Sequence, residues 1–528
     1  MQVLHIFDSY AQDQEIEKED AETMEVSYIN HDEEDDDDEF KSRRRGRGQA
    51  SSFKEKQSMV IQLFGSTPEG KPVRLQVNGF QPFFFLKIEN GQFDKCKQRF
   101  LALFDQKQIP HSCVKFEKTK KKVLYGYTAG REFDFIQLSF QNLSVFRTVK
   151  RFVLDDHQRF IFQLFKGQPP LEVFDATLDP MLRFFHLRKI QPCGWIKANV
   201  ELTEEDDILV GQCDWTDIDP ELAPPKASAP FLMASWDIEC YSASGDFPLP
   251  TKKEKIAKLG ADAPSVQVEG DPVIQIGVVL VRQDSETERH IFVLGTCDLI
   301  EGVEVHVAKT EKQLLLNFAN WLVVRNPDIL VGYNTFGFDE KYVWKRAQEL
   351  GITNDPGFQG LSRLSALGKE TKLEEKFLSS SALGDNFLYL WSTHGRLQID
   401  LYHYIKRGTP LPSYKLDDVC MYYMSGKLAS VERKELSWFL KTKTTGDVVP
   451  GRYIVLLEET GEGITEKAKV IEVIPGKGII IETPAHSEDI DLREAVKWAI
   501  VKVPTIANLS VFLAVTRAIG SGYDARLP

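Results

Sequence analysis

The chain has 528 residues, 42% of them apolar and 27% charged, which is the profile of a water-soluble globular protein with room for about three domains. Seven scattered cysteines without a Cys-x-x-Cys pair argue against a zinc ribbon or a disulfide framework and fit free thiols in a reducing compartment. The opening "MQVLHIFDSY" lacks a secretory signal's basic start and no apolar run reaches the ~18 residues of a membrane helix, so a soluble intracellular protein is expected.

The first ten residues alternate as a strand does, and then the charge becomes uneven. Of the net charge of −13, eight negative charges lie in "DEEDDDDE" (32–39), which leaves −5 for the rest, and five cations follow in "KSRRRGRG" (41–48). Such blocks form solvated loops, so a disordered acidic and basic loop is expected at 30–50. Strand-like runs resume at "SMVIQLFG" and "VRLQVNGFQPFFFLKIENG", a helix is predicted over 92–107, and further strands follow. Residues 1–228 read as an α+β domain closed by the Pro- and Ala-rich linker "DIDPELAPPKASAP".

The next unit opens with "FLMASWDIECYS". Leu232, Ala234, Trp236, Ile238 and Cys240 fall on one face of a strand, Met233, Ser235, Asp237 and Glu239 on the other. Further strands follow at "PVIQIGVVLVR" and "HIFVLGT". A helix over "TEKQLLLNFANWLVVRNP" has Thr310 as N-cap and Gln313 completing a capping box. The strand "DILVGYN" then runs into a helix beginning near Phe338-Asp339. Three strands, a helix, a strand and a helix make an α/β domain with a mixed sheet over 229–430. A small β insertion is expected at 431–490, and 491–528 reads as an aberrant or truncated C-terminal tail, its stretch from Val501 onward holding Asp524 as its only acid. No internal repeat is found.

Asp237 and Glu239 leave the same face of their strand ~6.6 Å apart along the chain. Two like charges in an otherwise apolar strand are unfavourable without a compensating cation, and oxygen donors suit Mg²⁺ or Mn²⁺. "DILVGYN" ends in a polar residue where α/β folds place ligands, and Asp339 lies in the first turn of the next helix. If the two strands are neighbours, Asp339 faces Asp237 and Glu239. Three convergent carboxylates can hold two divalent ions ~4 Å apart, the arrangement that cleaves a phosphodiester by in-line attack, with Asn334 orienting the substrate strand. Each residue also has a plainer explanation: an exposed acidic pair, a helix cap and a turn.

"SWDIEC" and "VGYNTFGFD" resemble the first and second exonuclease motifs of family B DNA polymerases, whose proofreading domain is of the DEDD, ribonuclease H-like type. "VNGFQPFFFLKI" resembles the family's N-terminal domain, and "ATLDPMLRFFHLRKIQPCGWIKA", "GRLQIDLYHYIKR" and "PSYKLDDVC" resemble the stretches around the exonuclease motifs. The likeness runs from about 58 to 425 and has the flavour of large DNA viruses and eukaryotic replicative polymerases. It implies that Asp237, Glu239 and Asp339 are catalytic metal ligands, that Asn334 and Phe338 lie beside a single-stranded primer 3′ end, and that the protein works in DNA replication at a nuclear or viral site.

The pattern then breaks. The family's fourth carboxylate sits in a Tyr-x-x-x-Asp motif. Tyr414 and Asp418 have that spacing, but they match better the helix that precedes the true motif, which is expected after "KWAI". The family's D-x-x-S-L-Y-P-S and Y-G-D-T-D motifs do not occur, so palm, fingers and thumb are expected to be missing from this chain through a frameshift or gene-model error, or a natural split with the polymerase half on another chain. A processivity factor is a further implied partner. Two other readings stay open: a catalytically defective module that grips single-stranded DNA or a polymerase half through Phe338 and Tyr342, and an independent DEDD nuclease.

Overall fold

A computed structural model describes residues 1–15, 56–124, 126–205, 207–259, 269–282, 285, 287–380, 384–434, 437–445, 448–460, 462–484 and 492–500. Residues 30–50, for which a disordered charged loop is expected, and residues 501–528 lie outside the described residues. The chain divides into two compact units, Met1–Pro230 and Phe231–Pro528.

In the first unit, a seven-stranded sheet is built around the neighbours Gln2–Glu15, Gln57–Ser66 and Pro72–Asn78. A four-stranded sheet carries the helices Phe93–Lys107 and Leu143–Val153. Phenylalanine is abundant because this second core is built from it: Phe84, Phe100, Phe104, Phe140, Phe146 and Phe162 are all buried there, with Phe100 stacked on Phe162 at 4.3 Å. All seven cysteines are free.

The second unit holds a mixed six-stranded sheet in the order Glu304–Ala308, Glu288–Leu294, Val273–Arg282, Leu232–Cys240, Ile329–Gly332, Leu397–Asp400. Leu232–Cys240 runs antiparallel to Val273–Arg282 and parallel to Ile329–Gly332, which in turn is parallel to Leu397–Asp400. Ala234, Trp236 and Ile238 enter the core beneath the helix Glu311–Arg325, where Trp236 meets Phe318. That helix starts as its sequence predicts: Thr310 Oγ1 accepts the Gln313 N–H at 3.2 Å. The reciprocal bond differs, since Gln313 Oε1 accepts from Lys309 N rather than from Thr310.

A separate seven-stranded sheet follows, ordered Ser425–Lys427, Lys497–Ile500, Tyr453–Leu457, Ala468–Ile474, Gly478–Glu482, Ser437–Lys441, Ser430–Lys434. It is wider than the 431–490 expected. Lys497–Ile500, which the sequence assigns to the tail, pairs with both Ser425–Lys427 and Tyr453–Leu457 and buries Trp498. The sequence hides this because three- and four-residue strands carry no periodicity of their own.

Candidate active site

Parallel pairing aligns the ends of three strands. Met233, Ala234 and Ser235 lie against Ile329, Leu330 and Val331, and Gly332 lies against Asp400. Residues just beyond these pairings therefore emerge at one edge of the sheet, Asp237 from the first strand and Asn334 and Asp339 after the second.

Asp339 opens the helix Asp339–Glu349 but does not cap it; the N-cap position is Phe338, which makes no side-chain cap bond. The Asp339 carboxylate turns back to the sheet instead. Its Oδ1 accepts from Ile238 N at 3.4 Å, and its carboxyl makes a hydrogen-bonded contact with that of Asp237. Burial and the Asp237 charge push the Asp339 acid well above the usual carboxylate range. Burial, and next the charge of Glu239, raise Asp237 to about 6. Two carboxyls this close share a proton when no cation lies between them. Glu239 is exposed on the same strand face, two residues on.

Asn334 sits at φ 61, in the left-handed region that asparagine tolerates better than most residues. Its side chain lies over Gly337, where a Cβ would come 2.5 Å from Asn334 Oδ1. The loop is anchored by Asp400, whose Oδ1 accepts from Asn334 N at 2.7 Å and whose Oδ2 accepts from Phe336 N at 3.1 Å. The same Asp400 N-caps the helix Leu401–Gly408 by accepting from Tyr402 N. Its charge also reaches Asp339, and burial raises its own pKa. On the other side, Phe336 O accepts from Tyr389 N, in the hairpin of Leu373–Ser380 and Gly384–Trp391. Glu340 fixes the end of that hairpin: its Oε2 accepts from Trp391 N at 2.6 Å, and its backbone carbonyl accepts from Trp391 Nε1.

The structure thus brings Asp237 and Asp339 into contact, with Glu239 beside Asp237 and Asn334 and Phe338 on the adjoining loop. Asp418 is exposed on the helix Leu416–Tyr423 and is not among the groups whose charge acts on Asp237 or Asp339. The acid that sequence reasoning passed over is Asp400. Its signal was an acid closing the apolar strand "LQID" just before a helix, the same strand-end signature that singled out Asn334. Phe338 is half-buried, with ring contacts to Phe247 and Tyr342. Tyr342, expected to help grip a DNA strand, is 2% exposed and donates its hydroxyl to Asp271 O at 2.9 Å. Its place is in the core, because the helix turns that face inward.

The donor set fits a divalent cation of the Mg²⁺ or Mn²⁺ class. All donors are carboxylate oxygens, two are in mutual contact, and among the described residues no Lys or Arg pairs with Asp237 or Asp339.

Residues 171–419 match the model of the DNA polymerase family B exonuclease domain, a span that contains every residue of this site. The DNA polymerase of Pyramimonas orientalis virus is 26% identical over 501 residues, covering 71% of this chain and 41% of that protein. The DNA polymerase delta catalytic subunit of Dictyostelium discoideum is 29% identical over 386 residues, covering 69% of this chain and 32% of that one. The chain therefore spans less than half the length of these relatives. A family B DNA polymerase structure from Pyrobaculum calidifontis aligns over 69% of this chain and 38% of its own, at 19% identity and a TM-score of 0.44.

Proposed function

This chain carries the exonuclease region of a family B DNA polymerase, and from that premise we propose that its second unit is a 3′→5′ exonuclease acting on a single-stranded primer end, in a ribonuclease H-like domain. The observation that carries this reading is the hydrogen-bonded contact of the Asp237 and Asp339 carboxyls, with Glu239 on the same strand face.

Asp237, Glu239 and Asp339 are the residues that would hold two divalent ions. When bound, such ions lower the pKa of water and stabilise a leaving 3′ oxygen, so no protein-derived base is required. The chain's own contribution is placement. Asp237 and Asp339, which crowd each other as acids, would hold such an ion as carboxylates, giving up the proton that their proximity favours. Asp400 is a positioning residue: three backbone N–H groups hold it, and it holds the Asn334 loop in return. Asn334 and the half-buried Phe338 ring flank the position of the substrate strand, where an aromatic face can stack on a base. On the same reading residues 1–228 are a polymerase N-terminal domain, and the protein serves DNA replication together with a polymerising part and a processivity factor.

The test is degradation of labelled single-stranded DNA with Mg²⁺ or Mn²⁺. Wild type should shorten the strand from its 3′ end, and the Asp237→Ala/Glu239→Ala double variant should be slower by ~100-fold or more. Equal rates for the two proteins would sink the catalytic assignment. DNA binding without metal and without cleavage by either would favour a binding module instead.

A further inference from the structure

A second cluster lies at the far edge of the same sheet. Glu288–Leu294 and Glu304–Ala308 pair in parallel, with His290 opposite Glu304 and Phe292 opposite His306. The two-residue period of a strand puts His290, Phe292, Glu304 and His306 on one face. Phe292 and Trp236 both contact Phe318, so this face is the helix-covered one. Asp237, one residue after Trp236, points to the opposite face, and the strand Val273–Arg282 lies between the two sites. The clusters are separate.

Three side chains converge here. His290 Nδ1 lies 3.2 Å from His306 Nε2 and 3.3 Å from Glu304 Oε2, and His306 Nε2 lies 3.6 Å from Glu304 Oε1. A tetrahedral ion bound at ~2.05 Å keeps its ligand atoms roughly 3.3 Å apart. The three approaches are close to that size, the two to Glu304 being made to different oxygens of its carboxylate, and one ligand atom from each residue lies within 4.8 Å of the others.

Both rings are held in place. The His290 side chain is 2% exposed and packs on Trp321 at 4.8 Å, while His306 stacks on Phe292 at 4.4 Å with 13° between the ring planes. His290 Nε2 is a buried nitrogen without a hydrogen-bond partner. It lies 3.6 Å from Glu288 Oε2, and Arg325 grips the Glu288 carboxylate at 2.6 and 2.7 Å. A ligand on Nδ1 places the remaining ring proton on Nε2, facing that carboxylate. A carboxylate on the outer side of the ring can orient a metal-bound histidine, and Glu288 needs to close only a few tenths of an ångström to accept that proton.

We propose that His290 Nδ1, His306 Nε2 and Glu304 form a binding site for one divalent ion of the zinc class, with water in the fourth position. Two imidazoles and a carboxylate suit Zn²⁺ and Co²⁺, whereas Mg²⁺ takes oxygen donors. The ion clamps the five-residue edge strand Glu304–Ala308 onto its neighbour, the place where a sheet is easiest to fray or to pair wrongly.

The test uses the full chain, stripped with chelator and titrated with Zn²⁺ by calorimetry in excess Mg²⁺, with Co²⁺ absorption as a second readout. His306→Ala and Glu304→Gln alter the exposed edge strand and spare the buried His290. One Zn²⁺ should bind to wild type and equally to Asp237→Asn/Glu239→Gln. Either edge variant should weaken it about tenfold or more, and the visible band of tetrahedral Co²⁺ should vanish in His306→Ala. Zn²⁺ binding that is absent from the folded wild type, or unchanged in both edge variants, overturns the proposal and leaves an ordinary His–His hydrogen bond.

Discussion

The second unit buries acids in two different ways. Glu311 meets Arg346 through two bonds, Nε to Oε1 at 2.8 Å and Nη2 to Oε2 at 2.5 Å. Asp328 meets Arg363 at 2.9 Å and also accepts from Leu232 N. Both acids are nearly closed to water, and each carries a fixed cation. Asp237, Asp339 and Asp400 lie in the same domain and have none among the described residues. Their partners are backbone N–H groups and one another, with His403 at 4.0 Å from Asp400 as the one ionisable neighbour of opposite type. Glu311 and Asp328 are structural acids with their counter-ions built in. Glu340 is also buried and raised in pKa, but its carboxylate is taken up by the Trp391 N–H. Asp237 and Asp339 are instead turned on each other, and that crowding of two acids without a cation marks the candidate site more sharply than burial does.

Breaking each set should give opposite results. Removing Arg346 (Arg346→Met) strands Glu311 in the core and should cost ~3–5 kcal/mol, read as an earlier urea transition of the second unit. Asp339→Asn removes one of two crowded carboxyls, so without divalent ions it should leave stability unchanged or raise it, while nuclease activity is lost. If the two substitutions destabilise equally, the distinction between paired and crowded acids fails.

Adding the cation is the next sharpest test. An ion that binds only the folded protein stabilises it by ~2.7 kcal/mol at a hundred times its dissociation constant. Mn²⁺ should therefore raise the melting temperature of wild type and not that of Asp237→Asn/Asp339→Asn. An equal rise in both would place the ion elsewhere. A smaller effect is expected at the loop: Gly337→Ala sets a Cβ 2.5 Å from Asn334 Oδ1 and displaces that side chain. Cleavage should slow about tenfold, the scale of a misplaced positioning group, with the melting temperature nearly unchanged. Full activity in Gly337→Ala would remove Asn334 from the account.

Which of these features the sequence reveals follows from the range of the interaction behind each. The alternation around Trp236, the Thr310 cap and the helix start after Phe338 are local, and periodicity or capping chemistry is enough to read them. The contact of Asp237 with Asp339 needed one further step, the guess that two apolar strands are neighbours. Asp400 was missed because its meaning depends on a third strand, 66 residues beyond Asn334, joining the same parallel set. Tyr342 was misread because spacing from Phe338 says which residues share a helix face, not which way that face turns. The His290 cluster escaped for a similar reason: "EVH" at 304–306 looks like any edge strand until its parallel partner supplies the second histidine.

The smallest effect concerns a buried titratable group of the first unit that needs neither a counter-ion nor a metal. His5 stacks on Trp195 at 4.7 Å, and its Nδ1 accepts the Ala229 N–H at 2.9 Å. Burial holds its pKa below the ordinary value. A histidine whose folded pKa is depressed binds fewer protons folded than unfolded. Its stabilising share is therefore complete above the unfolded value of ~6.5 and is lost as pH falls through the folded value. Protonation also takes the lone pair that the Ala229 amide uses. Hydrogen exchange at Ala229, corrected for intrinsic rate, should lose protection on acidification from neutral pH in wild type, whereas in His5→Gln, which has no proton to gain, protection should stay level. Parallel profiles for the two proteins would show that His5 takes no part in the acid response, and the contrast with the cation-seeking acids of the second unit would then rest on that unit alone.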